Sequence, residues 1–445
     1  MDFNKNTESS NNLAAEWNTK GHQYISKLNE LIAKSYEGQD APEYFPEEPR
    51  TVEEAKLAIS LVEAEWREGR WSAEKPIVDR AHEPFVDMLD DVCQSLNCVT
   101  ILGADEFLVR LGTSYKPDPT LHVQGAQVTE RPDILAVTIS RNRELLLLVQ
   151  EQGFNVVRSL DEDPIVCIPW PKGMAAKALD VIHISNDGKS IAFVADEESV
   201  WLGQINGTDS VWTCVHPASS ILREFEEEFD DLDDEEAGAW YDSMMHCDLS
   251  PDGKFIAYGS QSYGHFIDRI DGVGEIRSWA EIGHLSEYPH YACFSDDSTL
   301  VALNSCHFYN GATVCARLAD IEGLHTNPYE EDRHAPLIDN RLRVYAATWL
   351  PSKEEQKEGF ALAGASYLDI VSSDGTLLSS SYFGSSASSI DYCPKTGLLA
   401  VASYSGFLHI FVPSQTAEKE KAVGYRPILE QYRWVFWHDR PPFCW

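Results

Sequence analysis

Fourteen histidines, ten cysteines and a dense run of carboxylates are the side chains of this 445-residue chain that could do chemistry, and their spacing decides which chemistry. The histidines form no H-E-x-x-H pair, which would set two imidazoles one helical turn apart on a zinc ion, and no Cys/His set at zinc-finger spacing. Cys93, Cys98, Cys167, Cys214, Cys247, Cys293, Cys306, Cys315, Cys393 and Cys444 are scattered without a C-x-x-C pair. That suits reduced, mostly buried thiols better than a disulfide frame. A nucleophile elbow G-x-S-x-G is absent, since the nearest string, Gly259 to Gly264, has one residue too many. Gly272-Val273-Gly274 lacks the third glycine and the following helix of a dinucleotide loop, and no phosphate-binding G-x-x-x-x-G-K-[ST] occurs. No catalytic residue, cofactor or metal site is expected.

The carboxylates concentrate between Glu224 and Glu236, where 10 of 13 positions are Asp or Glu. A run of like charge is ordinarily a solvated loop. Here Phe225, Phe229 and Leu232 interleave the acids, and apolar anchors add affinity while the charges steer a partner. The candidate partner-binding residues are therefore Glu224, Phe225, Glu226, Glu227, Glu228, Phe229, Asp230, Asp231, Asp233, Asp234, Glu235 and Glu236. The alternating Asp/Asn and glycine spacing of a calcium loop is missing from the run.

The whole chain shares this sign. Thirty-five Lys and Arg against 72 Asp and Glu leave 35 − 72 = −37. Nucleic-acid binding rests on neutralising phosphates, and a field of this sign repels polyanions. A basic protein is the natural complement, because opposite potentials speed encounter. With 43% hydrophobic and 11% aromatic residues, most of the chain is expected to fold. No run approaches the roughly 20 apolar residues of a membrane helix, and the first residues lack the apolar stretch of a secretory signal, so the expected location is the cytoplasm.

The elements that position these residues change character near Cys98. Before it, Leu13, Trp17, Ile25, Leu28, Ile32 and Tyr36 recur at helical spacing. Thr51-Val52-Glu53-Glu54 is a capping box, followed by Ala55, Ile59, Val62 and Trp66 on one face. Phe85, Leu89, Val92 and Leu96 mark a third helix. After Cys98 come short β-rich runs bounded by Gly, Asp, Asn and Pro, and the runs repeat. Ile182-His183-Ile184-Ser185-Asn186-Asp187-Gly188-Lys189 has a close partner in His246-Cys247-Asp248-Leu249-Ser250-Pro251-Asp252-Gly253-Lys254. His183 stands two residues before the marker Ser185 and His246 four before Ser250, so each fits a place in the repeated architecture better than a shared ligand set. A third copy runs from Tyr291 through Ser295-Asp296-Asp297-Ser298 to Leu303, and weaker ones centre on Ser140, Leu350 and Cys393. Each is a strand, a tight turn and a second strand. The markers Ser140, Ser185, Ser250, Ser295, Leu350 and Cys393 lie 45, 65, 45, 55 and 43 residues apart, a base period near that of a four-stranded propeller blade.

Here the chain resembles the WD-repeat β-propeller family. Gly283-His284, followed at the family's usual distance by Phe294-Ser295-Asp296-Asp297, carries the likeness best. Ala400 to Phe411 is similar to the second and third strands of such a blade. No Trp-Asp dipeptide occurs, and most copies lack the Gly-His. The resemblance implies an all-β propeller of seven (or six) four-stranded blades over residues 99–415. An α-helical N-terminal region over 1–98 precedes it, and an aromatic tail over 416–445, with Tyr432-Arg433-Trp434-Val435-Phe436-Trp437, packs on the propeller or closes it.

Propellers leave loops on two broad faces suited to holding other proteins. The expected function is a non-enzymatic protein–protein interaction module, a scaffold whose acidic surface binds a basic protein partner, without direct nucleic-acid or membrane contact. A narrower alternative is an immunity protein, an inhibitor that neutralises a basic toxin or nuclease. A second alternative is a propeller hydrolase with its site at the central channel, where His and Asp from different blades would converge.

Overall fold

In the computed structural model the described residues are 3–36, 38, 46–80, 85–113, 117–196, 199–206, 209–216, 244–261, 264–308, 310–353 and 356–445. The run from Glu224 to Glu236 lies outside them. Three helices come first: α1 (Phe3–Tyr36), α2 (Val52–Arg67) and α3 (Val86–Val92). The capping box of α2 forms as the spacing predicts, with Glu54 N donating to Thr51 Oγ1 and Thr51 N to Glu54 Oε2 at 2.8 Å.

The rest is a β-propeller. Four antiparallel strands, Leu96–Gly103, Glu106–Gly112, Pro117–Gln124 and Gln127–Arg131, make the first blade in simple meander order. The second runs over Ala136–Ile139 to Val166–Ile168, the third over Ile182–Ile184 to Asp209–His216. The fourth, His246–Leu249 to Glu275–Ile282, gains a fifth strand, Leu324–His325, in parallel. The fifth joins Tyr288–Phe294, Leu300–His307, Asn310–Arg317 and Leu337–Asp339.

From Val344 to Cys444 the chain builds one continuous eight-stranded sheet. The architecture is thus WD-repeat-like, but the expectation of seven (or six) four-stranded blades is corrected: five discrete blades are followed by a single large sheet. The cause is one long strand, Leu377–Cys393. Its first part pairs with Gly359–Val371 and its second with Leu398–Ser403, so no turn separates the two halves. Gly384, at φ +91°, supplies the bend inside it.

The repeated serine has a definite job. Ser185, Ser250 and Ser295 each donate to the carboxylate two residues on, Asp187, Asp252 and Asp297, at 2.6–2.8 Å. Each also accepts from the amide five residues on, and Ser140 does the same with Asn142 and Leu145. All four serines are fully buried. Asp187, Asp252 and Asp297 are therefore turn residues. Successive turns are laced together around the ring, Asn142 N to Asn186 Oδ1, Asn186 N to Pro251 O, and Asp252 N to Ser298 Oγ.

Apolar faces pack between neighbouring sheets, as with Leu147, Phe154, Ile182 and Phe193 between the second and third blades. The helices bury Trp17, Ala58, Ile59, Val62 and Phe85 against Phe407, Val435, Trp437, Phe443 and Trp445 of the last sheet. Tail strand Ile428–Val435 pairs with Phe407–Thr416, and Phe443–Cys444 pairs with it in turn. Among the described residues no helix is long and apolar enough to cross a membrane.

Candidate binding site: the central channel and its mouth

The innermost strands of the sheets surround a channel of about 550 Å³. Arg141, just after the second blade's first strand, spans it. Its guanidinium donates to Thr348 Oγ1 on the last sheet (2.8 Å) and lies 3.5 Å from Asp248 on the fourth blade. Asp248 is buried, which by itself would raise its pKa. His183, whose Nδ1 sits 3.0 Å away, then Arg141 and the Phe294 amide at 2.7 Å, hold it below the usual carboxylate range instead. Next to this cluster Arg143 grips Asp391 with both terminal nitrogens and also donates to the Ile101 carbonyl. Asp391 accepts from the Ile101 amide at 2.7 Å as well, so one ion pair joins the first and second blades to the last sheet. Asp296 lines the same space, and burial holds its carboxyl above the ordinary range against the pull of Arg141 and Arg143.

A second cluster occupies the channel around Met244. His246 Nε2 meets His265 Nδ1 at 3.1 Å, and His290 Nδ1 donates to the Val344 carbonyl at 2.7 Å. Burial drives all three down, His246 to about 3, His290 to about 4 and His265 well below its usual value, so all are neutral at pH 7. Arg343 closes this end. It lies 3.4 Å from His290 Nε2, stacks over Tyr345 at 4.9 Å, and donates to the Phe308 carbonyl at 3.2 Å.

Outside the channel, Phe308 opens a hairpin of the fifth blade with its carbonyl on Arg343, and Tyr329 lies in the connection that follows the fourth blade's added strand, Leu324–His325. The ring of His307 lies 4.5 Å from Phe308 and stacks on Tyr288 at 6.3 Å, while Tyr329 meets His284 at 4.9 Å. His307 Nδ1 is held by Glu287 at 2.6 Å.

A larger cavity, about 1060 Å³, lies away from this chemistry, between Leu28, Leu31 and Ile32 of α1 and Leu398, Phe411 and Ile428 of the last sheet. Arg50 and Arg433 in its wall are each already paired, with Glu48 and Glu430.

A channel hydrolase would need groups free to reach a substrate. The two histidines within ligand distance of each other, His246 and His265, share one bond at 3.1 Å and are held neutral by burial, and no group of three possible metal ligands exists among the described residues. The acidic run, the sequence-based candidate, falls outside the described residues. Arg141, Arg143 and Arg343, which organise the channel, were not singled out from the sequence, because single arginines flanking a repeat strand carry no spacing signal. Phe308 and Tyr329 did leave one: an aromatic where a turn asks for glycine or asparagine.

Among solved structures the chain is similar to the β-propeller domain of Myceliophteria thermophila Cps50 (Swd1). Identity is 13% over 69% of this chain and 93% of that one, with a TM-score of 0.44. It is also similar to KlHsv2 with loop 6CD replaced by a Gly-Ser linker, at 8% identity over 76% and 98%, again with a TM-score of 0.44. No protein-family model matches the chain, and no curated protein matches it in sequence.

Proposed function

We propose that this chain is a non-enzymatic protein-binding propeller whose acidic exterior holds a basic protein partner. The observation that carries the reading is the net charge of −37. Charge of one sign in this excess raises the local concentration of an oppositely charged partner and the rate of productive encounter. The channel supports binding over turnover, since Arg141, Arg143, Asp248 and Asp391 are committed to bonds that cross between sheets. An inhibitor of a basic toxin or nuclease is the narrower case within this class.

The test is capture of partners by the tagged chain at ~0.05 M and ~0.5 M salt, on either side of the ionic strength where screening reaches roughly 8 Å. A strongly basic protein held at the lower concentration and released at the higher is the expected result. Capture of nothing, or only of a partner indifferent to salt, overturns the reading. For the narrower case, the captured protein must lose its own activity when this chain is added in equal amount.

A further inference from the structure

We propose that Phe308 and Tyr329 form a docking rim for a protein segment that presents arginine or lysine side chains. This rests on the basic-partner reading and gives it an address. Among the described residues these are the two most exposed large hydrophobic side chains, at 70% and 62%. Both also stand on left-handed backbone, Phe308 at φ +53° and Tyr329 at φ +67°. For a bulky residue that conformation is strained, and such strain persists where surroundings or function hold it.

The two turns show how specific the choice is. His307 pairs with Asn310, so Phe308 opens a two-residue hairpin turn, where positive φ ordinarily selects Asn, Asp or Gly. The two-residue turn between Gln124 and Gln127 has Gly125 at φ +56°, and the one between Gly272 and Glu275 has Gly274 at φ +72°, although Arg143, Met244, Leu285 and Arg426 also carry positive φ elsewhere in the chain. Tyr329 follows Pro328 in the turn from Asn327 to Glu330. That is the position a type II turn reserves for Gly or Asn. Two unrelated turns, one within the fifth blade and one in the connection between the fourth and fifth, thus hold an aromatic residue where their backbone favours Gly or Asn, and neither aromatic is buried by doing so.

Phe308 meets His307, which stacks on Tyr288, and Tyr288 is close enough to Tyr329 to feel it electrostatically, while the Tyr329 ring itself meets His284, so the two aromatics belong to one neighbourhood of the surface. Its charge selects the partner. Glu287 is exposed within it, and the stretch after Tyr329 holds Glu330, Glu331 and Asp332 against Arg333. Aromatic faces attract guanidinium and ammonium groups, and neighbouring carboxylates strengthen the preference.

The experiment measures binding of a fluorescent Arg-Gly-Ser repeat peptide, with the citrulline version as a neutral control, to the full chain and its variants. The wild type is expected to prefer the arginine peptide. The double variant Phe308→Asn/Tyr329→Asn should lose about tenfold in affinity, as expected for two cation–π contacts each contributing roughly three- to fivefold. Its thermal midpoint should equal or exceed the wild type's, because asparagine tolerates the left-handed backbone. Tryptophan at both positions should restore binding. Undiminished affinity in the asparagine variant, with salt dependence and arginine preference intact, sinks the rim and leaves the basic-partner function standing. A midpoint lowered by several degrees also sinks it, since the rings would then serve packing. Equal binding of the arginine and citrulline peptides to the wild type overturns both.

Discussion

Arg141 is the residue on which the channel's electrostatics turn. It meets Asp248 and Thr348 from across the ring, and Asp248 stays ionised through His183, Arg141 and the Phe294 and Leu249 amides together. Arg141→Met leaves a buried carboxylate short of a cation, and removing one member of such a pair costs about 3 kcal/mol. Urea denaturation should show that loss with the m-value unchanged. The double variant Arg141→Met/Asp248→Asn should cost less than the sum of the two single changes. Strict additivity, or a loss below about 0.5 kcal/mol, which is the ordinary scatter for surface changes, would remove Arg141 from this role.

The neutral histidines make a second residue-level expectation. His246 faces His265, His290 and the Met244 carbonyl; His265 also feels His284 and the Asn304 backbone; His290 faces Arg343. Their folded pKa values lie below the unfolded value of 6.5, so the unfolded chain takes up protons first as the medium is acidified. Stability from this cluster is complete above pH 6.5 and falls as pH drops toward 4. At most three protons are involved, a slope of up to about 4 kcal/mol per pH unit. A thermal midpoint that stays level between pH 7 and pH 5 would contradict it. His246→Gln should flatten the slope by about one third, on the same linkage.

At the scale of elements, the last sheet and the helices hold each other through the tail. Trp445 Nε1 donates to the Val78 carbonyl at 2.8 Å, its ring meets Phe85 at 5.5 Å, and Arg433 lies over it at 5.1 Å. Trp445→Ala opens a cavity where the helices meet the sheet, at roughly 3–5 kcal/mol. Limited proteolysis should then cut first within residues 46–80, ahead of any cut in the blades; cleavage spread evenly over the chain would show that the tail does not organise the helices. The α2 cap and the Ser-x-Asp turns were legible in the sequence, because a capping box and a turn serine act within a few residues of themselves. The sheet from Val344 to Cys444 was not. Leu377–Cys393 is rich in serine, and Gly384 bends it without ending it, so nothing local announces where one pairing partner gives way to the next. The channel was equally hidden, since Arg141 reaches Thr348 across 207 positions and Arg143 reaches Asp391 across 248.

For the whole molecule, the net charge of −37 acts on folding and on association in opposite senses. Excess charge of one sign repels itself in the compact state, so screening stabilises the fold, whereas on the proposed function it should weaken the attraction for a basic partner. Raising salt from ~0.02 M to ~0.2 M shortens the screening length from a few tens of ångströms to under 10 Å. The thermal midpoint should rise by a few degrees, because about 1 kcal/mol moves the midpoint of a large domain by roughly 2–4 °C. Over the same range the association rate with a basic partner should drop steeply while the dissociation rate changes little, since long-range steering acts on encounter. The interior pairs Arg143–Asp391 and Arg141–Asp248 are shielded from the ions that screen the exterior, so they should keep the ring closed throughout. A midpoint that falls with salt would mean that surface ion pairs outweigh the self-repulsion, and the exterior would then no longer read as a surplus of negative charge awaiting a partner.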